Sequence, residues 1–241
     1  MKKVDQILKG RKCIAFVDFE GTQFSHEMIA VGAVLVTLDR NNQIKSMKDP
    51  FKKLVKAKNK IGNYVIDLTH ITEEMLKKDG VNFNDAMIAF KKYLGTKWKK
   101  CLFVTYGNHD VRIMNQSIAY NFQYPKDFCS QFHKNYLDFA ALISEFIRDD
   151  NGNPLSLIHN CEFFNVKMHE PAHDPVSDAI NLARLYDAFL KSPLLVQEQY
   201  KKAVLHTNHF PEPIKRVIQK LNNGEPVTID DYNEFLKDYI Q

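Results

Sequence analysis

Cys13-Ile14-Ala15-Phe16-Val17-Asp18-Phe19-Glu20-Gly21-Thr22 is an apolar run that ends in two carboxylates one residue apart. As a β-strand it alternates faces, so Ile14, Phe16, Asp18 and Glu20 project to one side and Ala15, Val17 and Phe19 to the other. Two anions on one face repel each other unless a cation or donors lie between them, and hard divalent cations take oxygen ligands of this kind. The competing reading is a strand that has run out into water with its acids hydrated. The choice depends on whether the rest of the chain brings partners to this strand end.

Working outward, Met28 to Leu38 is almost continuously apolar and rich in Val, as in a second buried strand. Asp39-Arg40-Asn41-Asn42 has turn chemistry, and Gln43 to Lys56 reads as a third strand with a basic, exposed face or edge. Short helices are expected at Thr72–Lys77 and Asn84–Leu94, then a strand at Cys101–Tyr106. His109 to Asn121 has helical periodicity with Asp110 on the same stripe as Ile113, Met114, Ser117 and Ile118, so this acid is expected to point inward. The bland alternative is an Asp that merely favours the positive end of a helix.

Further on, Gln123 to Gln131 reads as loop, His133 to Leu137 as a fifth strand, and Asp138–Ile147 and Leu155–Phe164 as helices. His169 to Pro175 is expected to be a loop before a helix from Asp178 to Leu190, where Asp178 aligns with Leu182, Leu185 and Phe189. An acid again opens a helix on its core-facing stripe. After Ser192-Pro193 the chain is polar and helical in texture, at Leu194–His206, Pro213–Asn222 and Thr228–Tyr239. A main domain over residues 1–192 and an accessory helical extension over 193–241 follow from this change.

The 241 residues, 44% hydrophobic, suffice for a substantial core. A net charge of +4 permits a nucleic-acid partner without requiring one. Two lysine groups, Lys52 to Lys60 and Lys91 to Lys100, are either solvated faces or phosphate contacts. The cysteines Cys13, Cys101, Cys129 and Cys161 are too scattered for a zinc site or a disulfide framework. No apolar run approaches the ~18 residues of a membrane span, and the polar start lacks the apolar core of a signal peptide. A cytoplasmic protein is expected.

Strands followed by alternating helices and strands, with acids at one strand end and two helix starts, suit a mixed α/β sheet flanked by helices. These residues resemble the DEDDh family of 3'-to-5' exonucleases, the DnaQ-like branch of the ribonuclease H-like superfamily. The first motif is matched by Asp18, Glu20 and Thr22, the second by Asp110 after Tyr106-Gly107, and the third by His173 and Asp178. Glu27 to Val34 resembles the family's second strand, and Leu68 to Met75 its helical segment beside the substrate. The likeness covers roughly residues 12 to 190. The chain departs from the family at Gly21, where Thr or Ala is usual, and at His70, where Gly is common.

The resemblance implies a ribonuclease H-like mixed sheet of five strands. It implies that Asp18, Glu20, Asp110 and Asp178 hold two divalent cations, Mg2+ or Mn2+, with His173 as general base, and that Gly21, Thr22 and Ile71 contact substrate. The expected activity is 3'-to-5' hydrolysis of single-stranded RNA or DNA ends to nucleoside 5'-monophosphates, RNA modestly preferred. A DNA exonuclease of repair or proofreading is one alternative. A catalytically silent nucleic-acid-binding module is another.

Overall fold

The computed structural model describes residues 1–207 and 209–241. A short helix α1 (Lys2–Leu8) precedes β1 (Cys13–Gly21), β2 (Met28–Leu38), β3 (Ile44–Met47) and β4 (Phe51–Leu54). Helices α2 (Asn63–Thr69), α3 (Glu73–Asp79) and α4 (Phe83–Leu94) follow, then β5 (Leu102–Thr105), α5 (His109–Tyr120), α6 (Lys126–Lys134) and β6 (Tyr136–Asp138). The chain continues through α7 (Phe139–Ile143), α8 (Leu157–Phe163), α9 (Pro175–Lys191), α10 (Pro193–Ala203), α11 (Glu212–Asn222) and α12 (Ile229–Ile240).

The sheet is mixed, in the order β3-β2-β1-β5-β6 with β4 also paired to β2. β2 runs antiparallel to β1, whereas β5 and β6 continue parallel to it. The sheet therefore has six strands where the sequence suggests five. The expected third strand, Gln43–Lys56, is split into β3 and β4 around Lys48-Asp49-Pro50, and both pieces pair with the same strand. Pro50 cannot donate to a ladder and the residue before it is restricted, which breaks the pairing there.

Two other expectations change. Residues 126–134 form α6, not loop and strand, because Phe128, Cys129 and Phe132 make a buried helical stripe. The strand begins later, at Tyr136, and spans only three residues.

The alternation of β1 decides the two faces of the sheet. Ala15, Val17 and Phe19 join Phe83, Met87 and Phe90 of α4, Ile113 and Met114 of α5, and Phe128 and Phe132 of α6 in one buried cluster. On the opposite face Phe16 meets Tyr186 of α9, ring centroids 5.4 Å apart. Hence α9 covers the face that carries Asp18 and Glu20.

The chain divides into two compact units, residues 1–140 with 156–191, and residues 141–155 with 192–241. In the second unit α11 and α12 pack together, with the Arg216 guanidinium 4.0 Å from the Phe235 ring centre and Lys220 2.7 Å from Asp231. Thr228 and Asp231 close a capping box at the start of α12. Among the described residues no helix is long and apolar enough to cross a membrane.

Candidate active site

β1, β5 and β6 run parallel, so their carboxyl ends share one edge of the sheet. Asp18 and Glu20 lie at the end of β1 and Asp138 at the end of β6, while α5 starts just beyond β5. One carboxylate oxygen from each of Asp18, Glu20 and Asp178 lies within 4.8 Å of the others. Asp178 comes from the first turn of α9, on the Asp18 face of the sheet.

A glycine lets α9 come that close. Asp18 pairs in register with Gly32 of β2, and a Cβ on Gly32 would lie 2.1 Å from the carbonyl carbon of Pro175. Lys52 of β4 is the next residue in the same row. It pairs with Asp174, whose Oδ1 accepts hydrogen bonds from the N–H groups of Val176 and Ser177, each 3.0 Å long. Asp174 is thus the N-cap of α9 with Pro175 at the first helical position. Sequence reasoning missed this role and placed the helix start at Asp178, although Asp-Pro before an apolar stripe is a start signal.

Asp110 approaches from the other face. It is 4% exposed, and its Oδ1 accepts a 2.7 Å hydrogen bond from the Phe19 N–H, between the two acids of β1. Its helix is launched by the Tyr106-Gly107 turn, where Gly107 has φ 95°, a region that disfavours side chains. Asp138 and Tyr136 hold that turn, accepting from the Gly107 N–H at 3.0 Å and donating to its carbonyl at 2.7 Å. Asp138 was not singled out in the sequence, since a three-residue strand leaves no periodicity to read.

His173 is exposed, with φ 58°, and its N–H donates to Asp178 Oδ2 at 3.2 Å. The structure therefore brings Asp18, Glu20 and Asp178 into one cluster, fixes Asp110 against β1, and tethers His173 to Asp178. Thr22 is 1% exposed. Its hydroxyl is taken up within the β1–β2 turn, accepting from the Glu27 N–H at 2.9 Å and bonding Ser25 at 2.6 Å. Ile71 is buried against Ile29, Ala30, Ile61 and Leu76, and a Cβ on Gly21 would touch Ile113. His70, at the C-cap of α2, has φ 59°, in the left-handed region.

The acids carry the electrostatic signature of an uncompensated cluster. Burial, then the charges of Asp110, Glu20 and Asp178, raises Asp18 well above its ordinary value. Burial and the charges of Asp178 and Asp110 push Glu20 up to about 8. Asp110 rises to about 7 through burial, against the pull of the Phe19 N–H. Burial also raises Asp178, opposed by His173. At Asp174 burial acts upward too, but Lys52 and the α9 N–H groups outweigh it and hold the carboxyl low. An all-oxygen donor set whose members repel one another is the environment a hard divalent cation stabilises, so these residues fit such an ion.

This mixed sheet, with carboxylates gathered at the carboxyl ends of its parallel strands and helices on both faces, has the ribonuclease H-like fold of the similar solved structures. The chain belongs to the Exonuclease family, whose model matches residues 15–186. No curated protein matches the sequence.

Among solved structures, the nuclease domain of 3'hExo, a DEDDh family member bound to rAMP, is similar with a TM-score of 0.62 and 20% identity, over 76% of this chain and 94% of that one. Cell-death related nuclease 4 (CRN-4) aligns with a TM-score of 0.61 and 19% identity, over 76% of this chain and 65% of that one. An E. coli ExoI–ssDNA complex in its zinc-bound form aligns at 0.58 and 17% identity, over 78% and 42%.

Proposed function

We propose that the protein is a two-metal-ion 3'-to-5' exonuclease that hydrolyses single-stranded nucleic-acid ends to nucleoside 5'-monophosphates, with RNA modestly preferred over DNA. The observation that carries this reading is the convergence of Asp18, Glu20 and Asp178 within 4.8 Å at a strand end of an Exonuclease-family chain. Asp18, Glu20, Asp110 and Asp178 would hold two Mg2+ or Mn2+ ions. When bound, such ions supply charge that stabilises the attacking and leaving oxygens of an in-line displacement at phosphorus.

The chain's own residues do the rest. The imidazole of His173 takes a proton from the attacking water, and the hydrogen bond from its backbone to Asp178 keeps it beside the acids. Asp174 and Lys52 hold the start of α9, and so the spacing between His173 and Asp178. Gly21, Thr22 and Ile71 are proposed substrate contacts.

Catalysis is assigned to residues 1–192, with 193–241 accessory. The cytoplasmic assignment rests on four free, scattered, buried thiols.

Digestion of 3'-labelled and 5'-labelled RNA and DNA with Mg2+, Mn2+ or chelator, beside Asp18→Ala and His173→Ala, tests the reading. Stepwise loss from the 3' end that requires a divalent ion and Asp18 is expected. An Asp18→Ala protein as fast as wild type would overturn the mechanism. Faster cleavage of DNA would move the assignment to a repair or proofreading nuclease, and binding without cleavage to a silent module.

A further inference from the structure

At the opposite end of β1 from the acids, roughly 20 Å away along the strand, lies a cavity of about 920 Å3. Lys9, Arg11 and Lys12 border it from the turn between α1 and β1. Lys45 of β3 adds a fourth cation, and Lys97, Lys99 and Lys100 follow from the 3-10 turn after α4. No carboxylate lines it among the described residues. Seven cations therefore face one basin in a chain whose net charge is only +4.

Lys9, Lys45, Lys97 and Lys100 form no ion pair among the described residues, and all four are exposed. Arg11 is fixed, by contrast, donating to the Leu8 carbonyl at 3.2 Å and to Asn135 Oδ1 at 2.5 Å. The cavity thus combines a hydrogen-bonded guanidinium with exposed, unpaired ammonium groups. Such an arrangement attracts phosphate, which repays the repulsion among the cations.

Cys13, 7% exposed, lines the basin beside Cys101. Its thiol is lowered to about 7, first by the hydrogen bond with Cys101 and further by Lys97, Arg11 and Lys100, against the opposing effect of burial.

We infer that this basin is a second binding site, separate from the acid cluster, that takes the phosphate groups of a nucleotide ligand. Two sources share that chemistry, the body of a nucleic-acid strand and a free mononucleotide. The site does not depend on cleavage, because it contains none of the acids. Lys97, Lys99 and Lys100 thus take the phosphate-contact reading of their lysine run, away from the cluster. Lys91 belongs elsewhere, since it pairs with Asp127.

Binding to the 241-residue chain in chelator, measured with a fluorescent single strand of about 20 nucleotides and separately with AMP, tests the site. The variant K97E/K99E/K100E should weaken binding about tenfold or more and lower the salt dependence of strand binding by about two contacts. A control carrying K201E/K202E/K215E should retain more affinity. Loss with the strand alone assigns the site to a strand body, loss with AMP alone to a free nucleotide, and loss with both to phosphate from either source.

K9E/K12E on the other wall gives the same readout if the triple variant does not fold. Unchanged binding of both probes in a folded variant overturns the inference. Equal weakening by the control overturns it too, because the effect would then be general charge.

Discussion

Asp18 and Gly32 face each other across the β1–β2 ladder, and the backbone of Pro175 occupies the space where a Gly32 side chain would stand. The clash is with backbone, which cannot rotate away. Gly32→Ala should push the start of α9 off the sheet, cost about 1–3 kcal/mol in denaturant unfolding and abolish hydrolysis. Wild-type stability and rate in that variant would show that α9 has slack.

The acid cluster makes the metal-free protein sensitive to pH. Glu20 has its pKa raised from 4.5 to about 8 in the folded state, so between those values the folded form holds a proton that the unfolded form has released. Its contribution to stability is present below about pH 4.5 and is lost as pH rises toward 8. In chelator, melting temperatures of wild type should therefore fall relative to Glu20→Gln across this window. Adding Mn2+ should raise wild type far more than the variant, as expected of a ligand that binds only the folded state.

His173 is exposed and packs into no core. His173→Ala should lower kcat by about 10²–10⁴ while leaving the melting temperature within error. A normal kcat would remove the imidazole from proton transfer.

Asp174 is expected to act through position alone. Asp174→Ala removes an N-cap and the Lys52 partner together, and should cost about 0.5–2 kcal/mol, with a fall in kcat. Asp174→Asn keeps the cap but not the charge and should restore most of the stability. Equal losses in the two variants would point to the ion pair instead of the cap.

Much of the site was legible because an acid at the end of an apolar strand, or on the apolar stripe of a helix, conflicts with packing. Asp18, Glu20, Asp110 and Asp178 all stood out in that way, whereas His173 entered only through the family motif it shares with Asp178. What stayed hidden was long-range. Nothing near Gly32 announces Pro175, and nothing near Lys52 announces Asp174, because both contacts depend on the register of three strands and the placement of a helix more than a hundred residues later.

Local signals also failed where they were thin. Helix α2 buries no residue, and α1 buries only Val4 and Leu8, so neither had a stripe to read. Helix α6 had a stripe, but the polar residues around it resembled loop.

Helix α9 is also held at its far end. The Tyr186 hydroxyl donates to the Asn42 carbonyl at 2.8 Å, and Asp187 accepts from the Ile44 N–H at 2.8 Å, both at the β2–β3 turn. The helix is therefore a beam clamped at two supports, with Asp178 about 12 Å from the Tyr186 support. Loosening the distant clamp would tilt the carboxylate end like a lever arm. The spacing of Asp178 from Asp18 and Glu20 is thus exposed to damage from a hairpin turn at the opposite end of the helix.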